Sequence, residues 1–187
     1  MSKAVMLSIR PKWVEKIASG EKTIEVRKTK PKLETPFKCY IYCTLPKYPH
    51  EDFIATDYPR PQFYGGGKVV GEFTCDRIYK IDKDSTDFLF KAGGLSVYKK
   101  AAEEKCALCV AMTDDELHGY LGHCQGYGWH ISDPLIYDQP RELSEFQRAT
   151  DPCDSCHAEY TWECTGCKKL SGDIKRPPQS WCYVEEG

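Results

Sequence analysis

Residues 4–9 form a short, nearly continuous apolar run of the kind that builds a buried strand. Pro11 follows, suited to the first turn of a helix, and Trp13, Val14, Ile17 and Ala18 then fall on one stripe at helical spacing. Gly20 is placed as the C-terminal cap. From Thr23 the period changes to two, with Ile24 and Val26 on one side and Thr23, Glu25 and Arg27 on the other. The pattern predicts strand, helix and a second strand with a charged face.

Residues 37–44 read as a further strand, and residues 68–81 as a long one in which Gly71 invites a bulge or a close backbone approach. Between them, residues 45–67 are rich in Pro and Tyr and end in three glycines, the composition of a lid or an inserted loop. No lysine-serine pair or helix start follows those glycines, so they predict a turn rather than a phosphate cradle. Helical character returns over 97–109 and 113–121, the second opening with Thr113, Asp114, Asp115 and Glu116 as cap and dipole partners. Residues 129–137 read as a strand that Pro134 restricts to an edge or a bulge. Residues 142–149 read as a short helical or turn-like piece, and the tail as a Pro-rich turn and a last short strand. No repeat or low-complexity segment is present. Non-local strands with two or three outer helices predict an α+β domain around a small, strongly curved sheet.

At 187 residues the chain accommodates one main core and an appendage. Its longest apolar runs are too short to cross a bilayer, so no membrane partner is expected. The opening MSKAVMLSIR has no apolar stretch of signal-peptide length, so a cytoplasmic, reducing location is expected. In that setting eleven cysteines read as thiols or metal ligands rather than as a disulfide framework. The formal charge of −2 hides an asymmetry: residues 1–38 hold ten Lys or Arg against four Glu. A polyanion is therefore expected to meet the N-terminal face.

The candidate chemistry lies in SGEKTIEVR, residues 19–27. Glycine turns the backbone out of the helix, and the strand that follows carries Glu25 and Arg27 on one side, with Lys22 just before it. A lysine beside a carboxylate supplies anion binding or, where partly desolvated, proton transfer. The same residues on an open wall would form only an exposed ion-pair ladder.

The stretch LSIRPKWVEKIASGEKTIEVRK, followed by CYIYCT and GKVVGEFTCDRI, strongly resembles the ASCH domain of the PUA-like superfamily. The later GYGWHISDPLIYDQPRELSEF and RPPQSWCYV resemble its longer version, found in bacterial and phage-encoded proteins. The resemblance implies an α+β fold with a small β-barrel of five or six mixed strands, flanking helices, and a cleft lined by the motif after the first helix. It implies RNA or modified-nucleotide recognition. Compact relatives remove the acyl group from acetylated cytidine with a lysine, a threonine and a glutamate, and others are described as ribonucleases. Lys22 falls on the family's lysine, but Glu25 stands where those hydrolases carry threonine. A carboxylate there repels an attacking anion and favours a donor edge, so their mechanism does not transfer intact. Glu72 is a candidate second carboxylate.

A nucleotide pocket needs aromatic or guanidinium planes for the base and cations for phosphate. Arg10, Lys12, Lys22 and Arg27 are the candidate cations, and Glu25 the acceptor for an exocyclic amine. Tyr127, Trp129 and His130 are candidates for the aromatic wall, His130 also being the natural acid-base group if there is chemistry. Trp13 reads as core packing on the helix stripe. In the tail, Cys153, Cys156, Cys164 and Cys167 form two CxxC pairs separated by seven residues, the arrangement of a structural zinc knuckle, with His157 as a substitute ligand. Cys106 and Cys109, near His118, His123 and Cys124, are weaker candidates for a second site because small buried cysteines are common in helices.

The sequence thus divides into an ASCH-like domain over 1–149, a cysteine-rich zinc-binding insertion over 150–174, and a returning strand in 175–187. Three functions are consistent with it: a nucleic-acid or modified-nucleotide binding module, with RNA as partner; a hydrolase of a modified nucleoside or of RNA, with Lys22 and Glu25 catalytic; and a protein-interaction adaptor working through the insertion.

Overall fold

The computed structural model describes residues 3–45, 53–54, 63–64, 66–83, 88–92, 95–98, 110–122, 125–149 and 172–186. The first strand, β1 (Lys3–Ile9), lies at the centre of a seven-stranded sheet. Its alternate side chains serve two cores, with Val5, Leu7 and Ile9 on one face and Ala4 and Met6 on the other. Burial on both faces explains why the run is apolar at nearly every position rather than alternating.

Helix α1 (Pro11–Ala18) starts with Pro11 in its first turn and buries Val14 and Ile17 against the first of these cores. Gly20 then adopts a positive φ of 77°, and β2 (Ile24–Arg27) begins. β3 (Phe37–Cys43) returns parallel to β1, with β2 and α1 in the crossover. Inside the region read as a loop, β4 (Phe53–Ile54) and β5 (Phe63–Tyr64) make a short antiparallel ladder, and Gly66 and Gly67 form the expected turn into β6.

The run read as one strand over 68–81 is two: β6 (Lys68–Cys75) and β7 (Ile78–Lys83), which enter different sheets. The break falls at Asp76 and Arg77, where the Arg77 carbonyl accepts from the His130 amide at 2.9 Å. β8 (Phe88–Ala92) and β9 (Leu95–Tyr98) follow as an antiparallel pair that periodicity did not separate from its surroundings. Residues 97–98 therefore belong to a strand and not to the expected helix over 97–109, whose remainder lies outside the described residues.

Helix α2 (Asp114–Leu121) carries the expected cap: the Thr113 hydroxyl accepts from the Glu116 amide at 3.2 Å, and the Thr113 amide donates to the Glu116 carboxylate at 3.0 Å. The run read as one strand over 129–137 is also two, parted at Ile131: β10 (Gly126–His130) lies between β2 and β7, and β11 (Ser132–Arg141) pairs with β6 alone at an edge of the other sheet, with register shifts between Ser132 and Leu135, across Pro134, and between Ile136 and Arg141. Both devices expected of that proline, an edge position and a bulge, are present. A 3-10 turn at Leu143–Glu145 leads into β12 (Gln147–Arg148), which pairs with β13 (Gly172–Asp173). The last strand, β14 (Trp181–Glu185), runs antiparallel to β1.

Two main sheets result, ordered β11-β6-β3-β1-β14-β12-β13 and β2-β10-β7-β8-β9. The architecture is α+β, as expected. Its strands exceed five or six, and among the described residues the ladders do not close into one hydrogen-bonded ring. A third core, with Ile24, Val26, Tyr79, Ile81, Leu117 and Leu121, fixes α2 against the second sheet. Cys39, Cys43, Cys75 and Cys182 are buried thiols in no disulfide, and burial raises the Cys75 thiol to about 12. No helix among the described residues is long and apolar enough to cross a membrane.

Candidate functional site

The end of β1, the N-terminal end of α1, strand β2, helix α2 and the turn before β14 surround a cavity of about 510 Å³. Lys22, Glu25 and Arg27 line it, and these three are the buried charged residues among those described, each at most 6% exposed. The alternation read in the sequence places Glu25 and Arg27 together, while Ile24 and Val26 go to the third core. What alternation did not reveal is that the charged side is covered as fully as the apolar one.

The trio is tightly tied. Glu25 divides its oxygens between Arg27 Nη2 at 2.9 Å and Lys22 Nζ at 3.5 Å. Lys22 also donates to the Val110 carbonyl at 2.7 Å. Arg27 donates to the carbonyls of Ser8 at 2.8 Å and Ser180 at 3.2 Å, which anchors it between β1 and β14. Its Nε is buried without a well-aligned partner among the described residues. Burial pushes the Tyr120 phenol above its ordinary value, opposed by the neighbouring Arg27 guanidinium and reinforced by Glu25. Tyr120 therefore stays protonated at neutral pH and is able to donate.

Arg10 and Lys12 complete the cationic lining from the exposed rim. Lys12 pairs with Glu116 at 2.7 Å, an exposed bond that a ligand displaces at little cost. With four cations against the carboxylates of Glu25 and Glu116, the lining carries a formal charge of +2. Trp13 supplies the aromatic face: the Lys12 and Lys22 ammonium groups lie 4.2 and 5.2 Å from its ring centroid. Burial of this kind strengthens each electrostatic contact with an entering anion.

Arg10, Lys12, Lys22, Glu25 and Arg27 are thus brought together, whereas Tyr127, Trp129 and His130 do not line the cavity. Trp129 is fully buried and packs edge-on against Phe37 at 5.8 Å and tilted against Trp181 at 6.0 Å. Its ladder position opposite Glu25 gave it the right parity, but the core claims the ring. His130 binds Asp76 at 2.6 Å through Nδ1 and pins the corner between β6 and β7. Glu72 holds Lys38 at 3.3 Å and accepts from the Tyr137 hydroxyl, also away from the cavity. Trp129 thus belongs to the core rather than to the cavity wall, while Trp13 packs against the first core as read and also lines the cavity. Trp13 belongs to the core stripe by spacing yet is only partly buried, because it lies at the stripe's edge. Tyr120, Met112 and Glu116 were missed; they reach the cavity on and before α2, and no motif links that helix to residues 22–27.

The four cysteines proposed for zinc, Cys153, Cys156, Cys164 and Cys167, lie outside the described residues, as do Cys106, Cys109, His123, Cys124 and His157. Among the described residues no group of His, Cys, Asp and Glu is placed to hold a metal.

A family model described as the ASCH domain matches residues 7–113, more than half of the chain and the whole segment that builds the Lys22–Glu25–Arg27 trio. A search of curated proteins returns no match. Among solved structures, the crystal structure of ASCH from Zymomonas mobilis is similar at 15% identity, over 98% of this chain and 88% of that one, with a TM-score of 0.52. A point mutant of the Zymomonas mobilis protein gives 15% identity over 99% and 92% of the two chains, with a TM-score of 0.53. At this identity the likeness concerns the fold.

Proposed function

The chain belongs to the ASCH domain family, and we propose that its cavity recognises a nucleotide, either one unit of an RNA strand or a modified nucleotide. The observation that carries this reading is the convergence of Lys22, Glu25 and Arg27, all buried, on a cavity with a net positive lining and Trp13 at its wall. Arg10, Lys12 and Lys22 suit a phosphate, Trp13 and Tyr120 offer surfaces to a base, and Glu25 is the acceptor for an exocyclic amine. The unpaired Nε of Arg27 is one more donor to an acceptor-bearing ligand.

Titration of the protein with nucleoside monophosphates, acetylated cytidine and single-stranded RNA tests the reading. Lys22→Ala is expected to weaken binding roughly tenfold, equivalent to about 1.4 kcal/mol. Arg10→Ala, on the exposed rim, guards against a folding artefact and is expected to weaken the phosphate-bearing ligands alone. Equal affinity in wild type and both variants would sink the proposal.

A second reading, hydrolysis, is favoured by one observation: Lys22 and Glu25 form a buried ion pair at 3.5 Å beside the cavity, a contact that would have to tighten on substrate binding for a proton to pass. The same incubations read it out, since acetate release from acetylated cytidine that vanishes in Lys22→Ala supports it. The adaptor reading rests on residues 150–174, nearly all of them outside the described set.

A further inference from the structure

Beyond the cavity, the loop that leaves β2 carries three lysines in alternate positions, Lys28, Lys30 and Lys32, all exposed. Most other lysines of known surroundings on this protein are neutralised: Lys12, Lys16, Lys38, Lys68 and Lys80 each pair with a carboxylate. Among the described residues, Lys28, Lys30 and Lys32 make no ion pair; for Lys28 and Lys30 an aromatic ring stands near the ammonium group instead. The Lys28 ammonium lies 5.6 Å from the Tyr120 ring and that of Lys30 5.9 Å from the Tyr127 ring. The amide of Lys32 donates to the Tyr183 hydroxyl at 2.7 Å, and Lys3 reaches the same ring from β1 at 6.0 Å.

This strip is fixed in place. Trp181 Nε1 donates to Thr29 Oγ1 at 3.0 Å and its ring meets Tyr183 edge-on at 5.4 Å, so the loop is laid across the aromatic face of β14. It is also continuous with the cavity, because Tyr120 lines the cavity and supports Lys28, and Arg27, the last residue of β2, immediately precedes the loop. Tyr127 stands opposite Arg27 in the β2–β10 ladder, which carries the aromatic row back to the trio.

Unpaired cations interleaved with half-buried aromatic rings, leading out of a nucleotide-sized cavity, are the components of a track for single-stranded nucleic acid: lysines follow the phosphates while bases stack. We propose that Lys28, Lys30 and Lys32, with Tyr127 and Tyr183, bind the strand that continues from the nucleotide held in the cavity, so that the ligand is a single-stranded polynucleotide rather than a free nucleotide. This rests on the nucleotide reading of the cavity. Tyr127 thereby returns as a contact residue at a different place from the cavity wall first expected of it.

The test compares a random-sequence RNA single strand of ~10 nucleotides with nucleoside monophosphates, on wild type, Lys22→Ala and the triple variant Lys28→Ala/Lys30→Ala/Lys32→Ala, at several salt concentrations. The exposed triple variant is expected to keep the wild-type melting temperature and its monophosphate affinity within about twofold, while its affinity for the strand falls at least ~10-fold. The slope of log affinity on log salt should shrink by about 2, from three phosphates at roughly 0.7 each. If Lys22→Ala weakens both ligands but the triple variant binds the strand with unchanged affinity and slope, the track is wrong and the cavity reading stands. If monophosphates bind wild type but the strand binds no tighter than they do, the track is wrong and the cavity reading stands; if neither ligand binds wild type, both are wrong. Binding of polyglutamate as tight as that of RNA, lost equally in the triple variant, would overturn the nucleic-acid assignment in favour of an acidic polypeptide.

Discussion

The Glu25 carboxylate holds two buried cations at once, Arg27 at 2.9 Å and Lys22 at 3.5 Å, and it is the only carboxylate buried among the described residues. Removing it would leave both cations desolvated and unneutralised. Glu25→Ala is therefore expected to lose about 3–5 kcal/mol of stability, measured by urea unfolding. Lys22→Met, which leaves the Glu25–Arg27 bond intact, should lose less. Wild-type stability in Glu25→Ala would mean that the trio is hydrated rather than buried. At this scale the sequence marked Glu25 and Arg27 correctly as neighbours, because strand alternation is a local property of the backbone. It did not tell the two tryptophans apart at the cavity, because the same ring in the same pattern packs wholly inward or also borders a cavity according to what lies across from it. Trp129 faces Phe37 and Trp181, whereas Trp13 faces Lys12 and Lys22.

Elements whose ends carry their own signals were legible in advance. Helix α1 announced itself with Pro11 and Gly20, and α2 with the reciprocal bonds of Thr113 and Glu116. Gly71 was legible as a close approach: a Cβ there would stand 2.4 Å from the Leu135 carbonyl oxygen of β11. Gly71→Ala is expected to push β6 and β11 apart at a cost of about 1–3 kcal/mol, visible as a lower thermal midpoint. An unchanged midpoint would show that the two strands are not in this register. The corner that divides residues 68–81 was not legible. Asp76 and Arg77 continue a strand-like pattern, and the turn depends on bonds to His130, some fifty residues away in the chain. β8 and β9 escaped for a related reason, since their short runs flank Gly93 and Gly94 and the second leads into the stretch from residue 97 whose composition suited a helix.

Across the described residues, two sheets and α2 converge on one cavity, and the sequence of residues 150–174 holds the two CxxC pairs. We propose that Cys153, Cys156, Cys164 and Cys167 hold a structural zinc ion; their four thiolates would fill a tetrahedral shell and leave no position for water. Protein purified without chelators should contain about one zinc per chain, and Cys153→Ser with Cys164→Ser should abolish it. Elemental analysis that finds no metal in the wild type removes the knuckle. The local features of this protein were determined by its sequence alone: strand and helix periods, the caps, the proline-restricted edge strand, and a charged face holding Glu25 and Arg27. All follow from interactions between residues a few positions apart. Tertiary structure alone decided that this face is buried and that it borders a cavity. The groups that enclose it come from far along the chain: Val110 lies 88 residues from Lys22, and Ser180 lies 153 residues from Arg27. Burial is set by what packs across from a residue, and no local period records that partner.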